Sequence, residues 1–386
     1  MREVVEGRLV LADDVVPGRL VVEDGWIADV VIDPGNAAWA AGPLLAPGLI
    51  DVHVHGWGGH DCTGDAEALS GMARALLRQG ITSFLPTAPS LPEQEIPRFA
   101  ARVREWMPVA PADGAEPLGF NLEGPFIAPA RKGAHDPALL RTPANIDPGV
   151  VDASLDGLRI MTIAPELPGA LALIERLAGL GIVPSLGHSA ATLDEARAGF
   201  RAAGTTTAKT TTHLFNAMTG VDHRLPGLAV AALTDDDAYV ELVADGFHVH
   251  RALWPIILRS KPAGRLILVS DAMSLAGTGD GPGSIGGLDV VVRDGRVTLT
   301  GTDTLAGSVI AINMAVRNLA REGVPLPVAV AAASSSPAAL LGVADRGRIE
   351  VGRRADLVEL DDDYQVRRVA RAGEWFSPWL NPVDAR

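Results

Sequence analysis

The sequence contains a single cysteine, Cys62, among its 386 residues. One thiol can form neither an intramolecular disulfide nor a thiolate metal cluster, so any metal must be held by histidine and carboxylate side chains. No apolar run approaches the ~20 residues that a membrane-spanning helix needs, which predicts no membrane partner. The opening residues, MREVVEGRLV, also lack the charged and then apolar pattern of a secretory signal.

Basic residues are scarce relative to acidic ones. The chain has 33 Lys and Arg against 47 Asp and Glu, which gives a formal charge of −14. No cluster of Lys and Arg could neutralise a phosphate backbone, so the composition argues against a nucleic-acid partner. The acidic balance suits a cytoplasmic protein and does not indicate a substrate. An anionic substrate would need local positive side chains.

Alternating strand and helix patterns fill the middle of the chain. Residues 49–55 alternate with period two, and the apolar residues of 69–77 then recur at helical spacing. Eight such strands predict an α/β fold, a (β/α)₈ TIM barrel over residues 47–346. A doubly wound sheet is the alternative, but no glycine-rich phosphate turn follows the first strand. The turn at Asp294-Gly295 predicts a β-hairpin insertion around 288–299.

The two ends of the chain share a different pattern, with short strands separated by Gly and Asp turns. Neither end has enough apolar positions to form a core by itself. We therefore predict that residues 1–46 and 347–386 pair into one small β-sandwich domain.

The first predicted barrel strand carries an unusual polar face. Because side chains alternate along a strand, Asp51, His53 and His55 share one face and the intervening aliphatic residues share the other. The polar face of a barrel strand points into the lumen near the C-terminal rim, where barrel active sites lie. Two imidazoles at positions i and i+2 can chelate one divalent cation.

Four further strand ends carry matching chemistry: Glu123, His188, His213 and Asp271. Asp271 follows the apolar run 266–269, and a carboxylate there is costly to bury unless it is paired, hydrogen-bonded or bound to metal. Each residue alone could be a satisfied polar group of the core. Together they predict a divalent metal site at one rim, best fitted by zinc, with iron or manganese also open.

Longer motifs extend this pattern. Residues 47–56, PGLIDVHVHG, resemble the opening signature of the amidohydrolase superfamily. The later motifs narrow the resemblance to the N-acetylglucosamine-6-phosphate deacetylases; they are NLEGPFI (121–127), KGAH (132–135), APE (164–166), GHS (187–189), THLFNAM (212–218), HRLPG (223–227), DGFHV (245–249), VSDAM (269–273) and LAGS (305–308). The ordered set spans about residues 7–360.

The resemblance implies an enzyme of amino-sugar catabolism that hydrolyses N-acetyl-D-glucosamine 6-phosphate to D-glucosamine 6-phosphate and acetate. A metal-activated water would attack the acetamide carbonyl, with Asp271 as general base and then general acid. His135 would orient or polarise that carbonyl. One or two metals are implied, the principal one held by Glu123, His188 and His213, and a second one by His53 and His55.

The resemblance also implies a set of substrate-binding residues: Ala134, Asn216, Ala217, Arg224, His248, Leu305, Ala306 and Gly307. Arg224 would reach the active site of a neighbouring subunit in a homodimer. The family often has an acidic residue directly after this arginine, whereas this chain has Leu225. That difference could alter how the arginine is held.

Three alternatives remain open from the sequence. The substrate could be another N-acyl amino-sugar phosphate, such as the galactosamine epimer, or a cyclic amide. The third alternative is a non-catalytic interaction protein, against which the retention of every expected ligand argues. The choice between epimers depends on the hydrogen bonds of one hydroxyl group, which a sequence does not resolve.

Overall fold

The computed structural model describes residues 2–205 and 207–377, so residues 378–386 of the predicted C-terminal segment lie outside the described part. The strands in chain order are β1 (Arg2–Val10), β2 (Val15–Glu23), β3 (Trp26–Ile32), β4 (Leu44–Pro47), β5 (Leu49–Val54), β6 (Gly56–Trp57), β7 (His60–Asp61), β8 (Ile81–Ala88), β9 (Glu116–Pro117), β10 (Phe120–Leu122), β11 (Leu158–Ile163), β12 (Val183–Leu186), β13 (Thr210–Thr211), β14 (Val240–Leu242), β15 (Leu266–Leu268), β16 (Gly281–Ile285), β17 (Leu288–Arg293), β18 (Arg296–Leu299), β19 (Leu357–Leu360), β20 (Val366–Arg371) and β21 (Glu374–Phe376).

The α-helices are α1 (Ala37–Ala40), α2 (Ala66–Leu77), α3 (Glu95–Trp106), α4 (Pro148–Ala153), α5 (Ala170–Gly179), α6 (Leu193–Ala202), α7 (Leu228–Thr234), α8 (Trp254–Ser260), α9 (Ile312–Arg321), α10 (Leu326–Ala332) and α11 (Ser335–Leu340). Local chemistry sets their ends: Thr192 and Glu195 form a capping box at the start of α6. Among the residues that the structure describes, no helix is long and apolar enough to cross a membrane.

Eight parallel strands form the barrel. The strands β5, β8, β10, β11, β12 and β13 pair side by side in that order, and β14 pairs with β15. Backbone hydrogen bonds join the two groups: Leu214 donates to the Glu241 carbonyl at 2.8 Å, and Asp271 donates to the His53 carbonyl at 2.9 Å. Both bonds lie next to the predicted site. The predicted barrel is confirmed.

The barrel helices cover the outside of the strands with amphipathic faces. Helix α2 begins after Asp65, whose side chain accepts from the amide of Ala68, and it buries its apolar stripe against the barrel. The helix α5 buries Leu173 and Leu177 in the same way. The strands are buried on both faces, which is the arrangement expected of a parallel sheet.

The two chain ends form one seven-stranded sheet, in the order β21-β20-β19-β4-β1-β2-β3. The N-terminal and C-terminal parts meet where β4 pairs with β19, with Leu44 opposite Leu360. A separate core lies within this sheet and includes Leu9, Leu20 and Leu45, all fully buried. The separate domain built from both ends is confirmed, while its boundaries at residues 46 and 347 stay a prediction.

A three-stranded antiparallel sheet, which we call the meander, comprises β16, β17 and β18. The strands β17 and β18 correspond to the hairpin expected around 288–299. The structure adds β16, whose glycine-rich residues 281–285 gave no strand pattern. The meander packs on Met273 and Ala306 in a small apolar cluster of its own. It therefore forms a wall beside the C-terminal rim of the barrel.

Candidate metal centre

The ends of five barrel strands bring six buried side chains together: His53, His55, Glu123, His188, His213 and Asp271. We call this group the metal cluster. Three of its residues follow their strands in the left-handed conformation, with φ of 47° at His188, 26° at His213 and 50° at Asp271. Such backbone is strained for a residue other than glycine and is concentrated at functional sites.

Glu123 lies at the centre of the metal cluster. Its Oε1 is 2.9 Å from Nε2 of His213 and 3.0 Å from Nε2 of His188. Its Oε2 is 3.3 Å from Nε2 of His55, and that nitrogen is also 3.0 Å from Oδ1 of Asp271. The glutamate therefore lies between the two groups of histidines, where a carboxylate can bridge two metal positions.

Backbone carbonyls set the tautomers of two of these histidines. Nδ1 of His188 donates to the Arg131 carbonyl at 2.8 Å, and Nδ1 of His55 donates to the Thr87 carbonyl at 2.7 Å. In the neutral imidazole the lone pair is then on Nε2, the atom that points into the cluster. Metal-bound histidines are held in this way by a partner on the other ring nitrogen.

The donor set fits a divalent metal. Nε2 of His53 is buried without a hydrogen-bond partner among the described residues, and Nε2 of His188 lies only 3.0 Å from Nε2 of His213. His53, His55, Glu123 and Asp271 each place a ligand atom within 4.8 Å of the others. Imidazole nitrogens and carboxylate oxygens without sulfur suit a divalent cation of the transition series.

The charges of His188, Glu123 and Asp271 also suit a metal. Burial lowers the pKa of His188 to about 4, which keeps its imidazole neutral. Burial would raise the pKa of Glu123, but the nearby imidazoles of His53 and His135 hold it well below its usual range. Burial likewise opposes the charge on Asp271, yet the hydrogen bond from His55 lowers its pKa to about 2. Both carboxylates are therefore ionised near neutral pH.

Comparisons with known proteins agree with this geometry. The model of the amidohydrolase family matches residues 44–376. The chain belongs to the amidohydrolase family. It is 38% identical over 380 residues to the N-acetylgalactosamine-6-phosphate deacetylase of Escherichia coli O157:H7, a match that covers 93% of this chain and 98% of that protein. It is 36% identical to the N-acetylglucosamine-6-phosphate deacetylase of Danio rerio, covering 93% and 89% respectively.

Solved structures place this amidohydrolase chain in the same group. A mutant N-acetyl-D-glucosamine-6-phosphate deacetylase from Mycobacterium smegmatis, in complex with N-acetyl-D-glucosamine-6-phosphate, superposes with a TM-score of 0.88 at 34% identity and covers 97% of this chain and 99% of its own. The Thermotoga maritima N-acetylglucosamine-6-phosphate deacetylase gives 0.88 at 32% identity, covering 97% and 100%. The resemblance found in the sequence motifs is confirmed.

His135 also contacts Glu123, but the hydrogen-bonding roles of its two ring nitrogens are opposite to those of His188. Its Nδ1 accepts from the backbone amide of Ser90 at 3.2 Å, so the proton of the neutral ring is on Nε2. That Nε2 is 3.4 Å from Oε2 of Glu123. A protonated nitrogen cannot bind a metal but can donate to a carbonyl oxygen. Its predicted role of polarising the substrate fits this geometry better than metal ligation.

Most predicted substrate-binding residues line one cavity of about 360 Å³ above the metal cluster: Ala134, Asn216, Ala217, His248, Leu305 and Gly307. Ala306 is fully buried and packs under the meander. Arg224 is in the exposed loop 221–225 and is not among the residues that line the cavity in the described part of this single chain. Leu225 beside it is 82% exposed. These substrate roles stay predictions.

Sequence reasoning missed buried side chains that lie outside the metal cluster and position its residues. Glu241 lies fully buried on β14 and accepts from Nδ1 of His53 at 3.1 Å. Glu166, within the APE motif, accepts from the Ser189 hydroxyl at 2.7 Å and so fixes the loop after His188. A signal for Glu241 was present, since it is a charged residue in the middle of a strand that is otherwise aliphatic.

Proposed function

We propose that the protein is a metal-dependent deacetylase that hydrolyses N-acetyl-D-glucosamine 6-phosphate to D-glucosamine 6-phosphate and acetate, in cytoplasmic amino-sugar breakdown. The observation that carries this proposal is the position of Asp271. Its carboxylate lies between His55 of the metal cluster and His248 of the cavity, at 3.0 Å and 3.9 Å from their Nε2 atoms. The cavity volume is within the range of small-molecule sites.

The principal metal would be held by Glu123, His188 and His213, and a second one by His53 and His55. Zinc fits the nitrogen and oxygen donors best, with iron or manganese as the other candidates. When bound, the metal would lower the pKa of a water molecule and polarise the acetamide carbonyl.

The chain's own residues supply the remaining steps. The ionised Asp271 would accept a proton from the attacking water on its carboxylate and later give that proton to the leaving amine nitrogen. Nε2–H of His135 would donate to the carbonyl oxygen, where negative charge develops during attack. Asp271 is ionised near neutral pH, so its carboxylate is free to accept a proton in the first step.

The phosphate group would lie at the open side of the cavity, where Asn216 and Ala217 are partly exposed. Nδ1 of His248 is 2.7 Å from Oδ2 of Asp245, which orients the ring and leaves Nε2 facing the cavity. We propose that the protein is a homodimer in which Arg224 of one subunit contributes a positive group to the other subunit's site. The exposure of the Val221–Leu225 loop, with Val221 66% exposed, is consistent with contact to another chain.

A second candidate substrate is N-acetyl-D-galactosamine 6-phosphate. It is favoured by the 38% identity to the E. coli deacetylase of that name. The two sugars differ only in the orientation of one hydroxyl, so both present the same acetamide and phosphate to the residues described above.

A substrate panel tests the proposal. Acetate release would be measured from both N-acetylated sugar 6-phosphates and from the two sugars without phosphate. We expect kcat/KM to be highest for N-acetyl-D-glucosamine 6-phosphate and much lower for both sugars without phosphate. A higher kcat/KM for N-acetyl-D-galactosamine 6-phosphate would change the proposed substrate and leave the proposed deacetylation unchanged. No acetate from any of the four would overturn the proposal.

A further inference from the structure

Glu241 is a buried carboxylate to which the reaction described above assigns no part. It lies on β14, and its side chain is completely buried. Its Oε2 accepts from Nδ1 of His53 at 3.1 Å and from the backbone amide of His213 at 3.2 Å. Its Oε1 has no hydrogen-bond partner among the described residues. Burying a carboxylate with so few partners is costly, which indicates that the residue is needed at this position.

The Nδ1 contact of His53 differs from those of His55 and His188, and Nδ1 of His213 has no hydrogen-bond partner among the described residues. His55 and His188 donate their Nδ1 protons to neutral backbone carbonyls, whereas His53 donates to a charged carboxylate. A carboxylate partner fixes the tautomer more strongly and makes the imidazole a better electron donor. The ring of His53 is thereby held with Nε2 facing the cluster, 3.7 Å from Oε1 of Glu123 and 3.6 Å from Oδ1 of Asp271.

The second bond of Glu241 anchors it. The amide of His213 belongs to a residue with φ of 26°, and that amide donates to the same oxygen that receives the His53 proton. The position of the oxygen is thus fixed by the backbone beside a ligand of the principal metal. One carboxylate oxygen therefore links a ligand of each proposed metal position.

We infer that Glu241 is a positioning residue for the second metal: it holds the His53 ring in the tautomer and orientation that bind this metal. The inference rests on the proposed metal centre and goes beyond it, since it assigns the second position's occupancy to a residue that touches neither metal nor substrate. The first metal depends on Glu241 less, because His213 is contacted only through its backbone amide.

Zinc binding to chelator-treated protein tests this inference without any measurement of activity. We expect wild-type protein to bind two equivalents in calorimetric titrations. Glu241→Gln keeps an oxygen acceptor but loses the charge, and should weaken one equivalent about 10-fold; Glu241→Leu should weaken it about 100-fold. His53→Ala should abolish that equivalent, and Glu241→Gln added to His53→Ala should have no further effect on zinc binding.

The matched control is Glu359→Gln, which neutralises a buried glutamate of the terminal sheet that pairs with Arg368 at 2.7 Å. It should bind both equivalents as wild type does. Melting curves of the metal-free proteins identify any variant that fails to fold. If Glu241→Leu fails to fold, the zinc affinity of the isosteric Glu241→Gln tests the inference. Unchanged zinc affinity in folded Glu241→Gln and Glu241→Leu would overturn the inference, as would a wild-type protein that binds one equivalent. A wild-type protein that binds no metal would instead overturn the metal centre itself.

Discussion

The metal cluster and the open side of the cavity differ in how far a single chain completes them. Every residue of the cluster is buried, and several are fixed by a contact outside it, as His188 is by the Arg131 carbonyl. At the open side, Asn216 and Ala217 are partly exposed, and Arg224 is in an exposed loop outside the cavity. Under the proposed function, one chain would supply all the residues of the hydrolytic chemistry, whereas recognition of the phosphate would need a further positive group.

The largest effect is expected from substitution of Asp271, which lies between the metal cluster and the cavity. Asp271→Asn should lower kcat on the order of 10³-fold, because an amide cannot accept and return a proton. Asparagine also tolerates the left-handed backbone at this position, so folding should be preserved. Steady-state kinetics with metal analysis check this. Near-normal kcat in the variant would remove Asp271 from the mechanism.

His135 and His188 sharpen the comparison, because their rings are only 4.7 Å apart and yet have opposite hydrogen-bonding roles. His135→Asn should lower kcat about 10²-fold and leave the metal content unchanged, as expected for a lost donor to the carbonyl oxygen. His188→Asn should lower the metal content instead. Elemental analysis of both proteins separates the roles, and loss of metal from both would make His135 a ligand.

Arg224 tests whether the open side is completed by a second chain. Arg224→Ala should cost about 1.5–3 kcal/mol in kcat/KM for the phosphorylated sugar and little for the plain sugar, since a charge-assisted contact is lost. Mixing this variant with Asp271→Asn under subunit exchange should restore some active sites. Equal losses on both sugars would exclude a phosphate contact, and no recovery in verified heterodimers would place the arginine within its own subunit's site.

A smaller effect concerns protons that compete with metal. In the metal-free protein, burial would lower the pKa of His55, but the hydrogen bonds that its ring donates to the carboxylates of Asp271 and Glu123 raise it to about 9. A metal must therefore displace a proton from this ring, and its affinity should rise with pH by up to tenfold per unit below pH 9. Calorimetry in buffers of different ionisation enthalpy measures the released proton. A metal affinity that does not change between pH 7 and 9 would contradict the displacement of a proton from His55.

The same shift has a consequence for folding. Because the folded pKa of His55 is above its unfolded value of about 6.5, its contribution to stability is complete below that value and is lost as the pH rises through about 9. Metal-free protein should thus lose stability between pH 7 and 9, and bound metal should suppress that loss. Melting temperatures with and without metal check both statements.

Sequence patterns predicted the parts of the molecule that depend on side-chain alternation. Period-two strands that carry His53, His55 and Glu123, together with the apolar run before Asp271, indicated both the barrel and the cluster, because strand ends meet at one rim. The patterns could not reveal the carbonyl of Thr87 that fixes His55, since every residue has a carbonyl. They missed β16, whose glycines carry no alternation, and Glu241, whose role depends on which strand becomes its neighbour.

Metal removal and return is the most direct test of the central claim that a metal held by one chain performs the deacetylation. Protein would be stripped with a chelator, its metal content verified, and zinc returned in steps while acetate release from N-acetyl-D-glucosamine 6-phosphate is measured. We expect no release above background from the stripped protein and activity that rises with bound metal until the sites are filled. Wild-type turnover by protein verified to be metal-free would contradict the account.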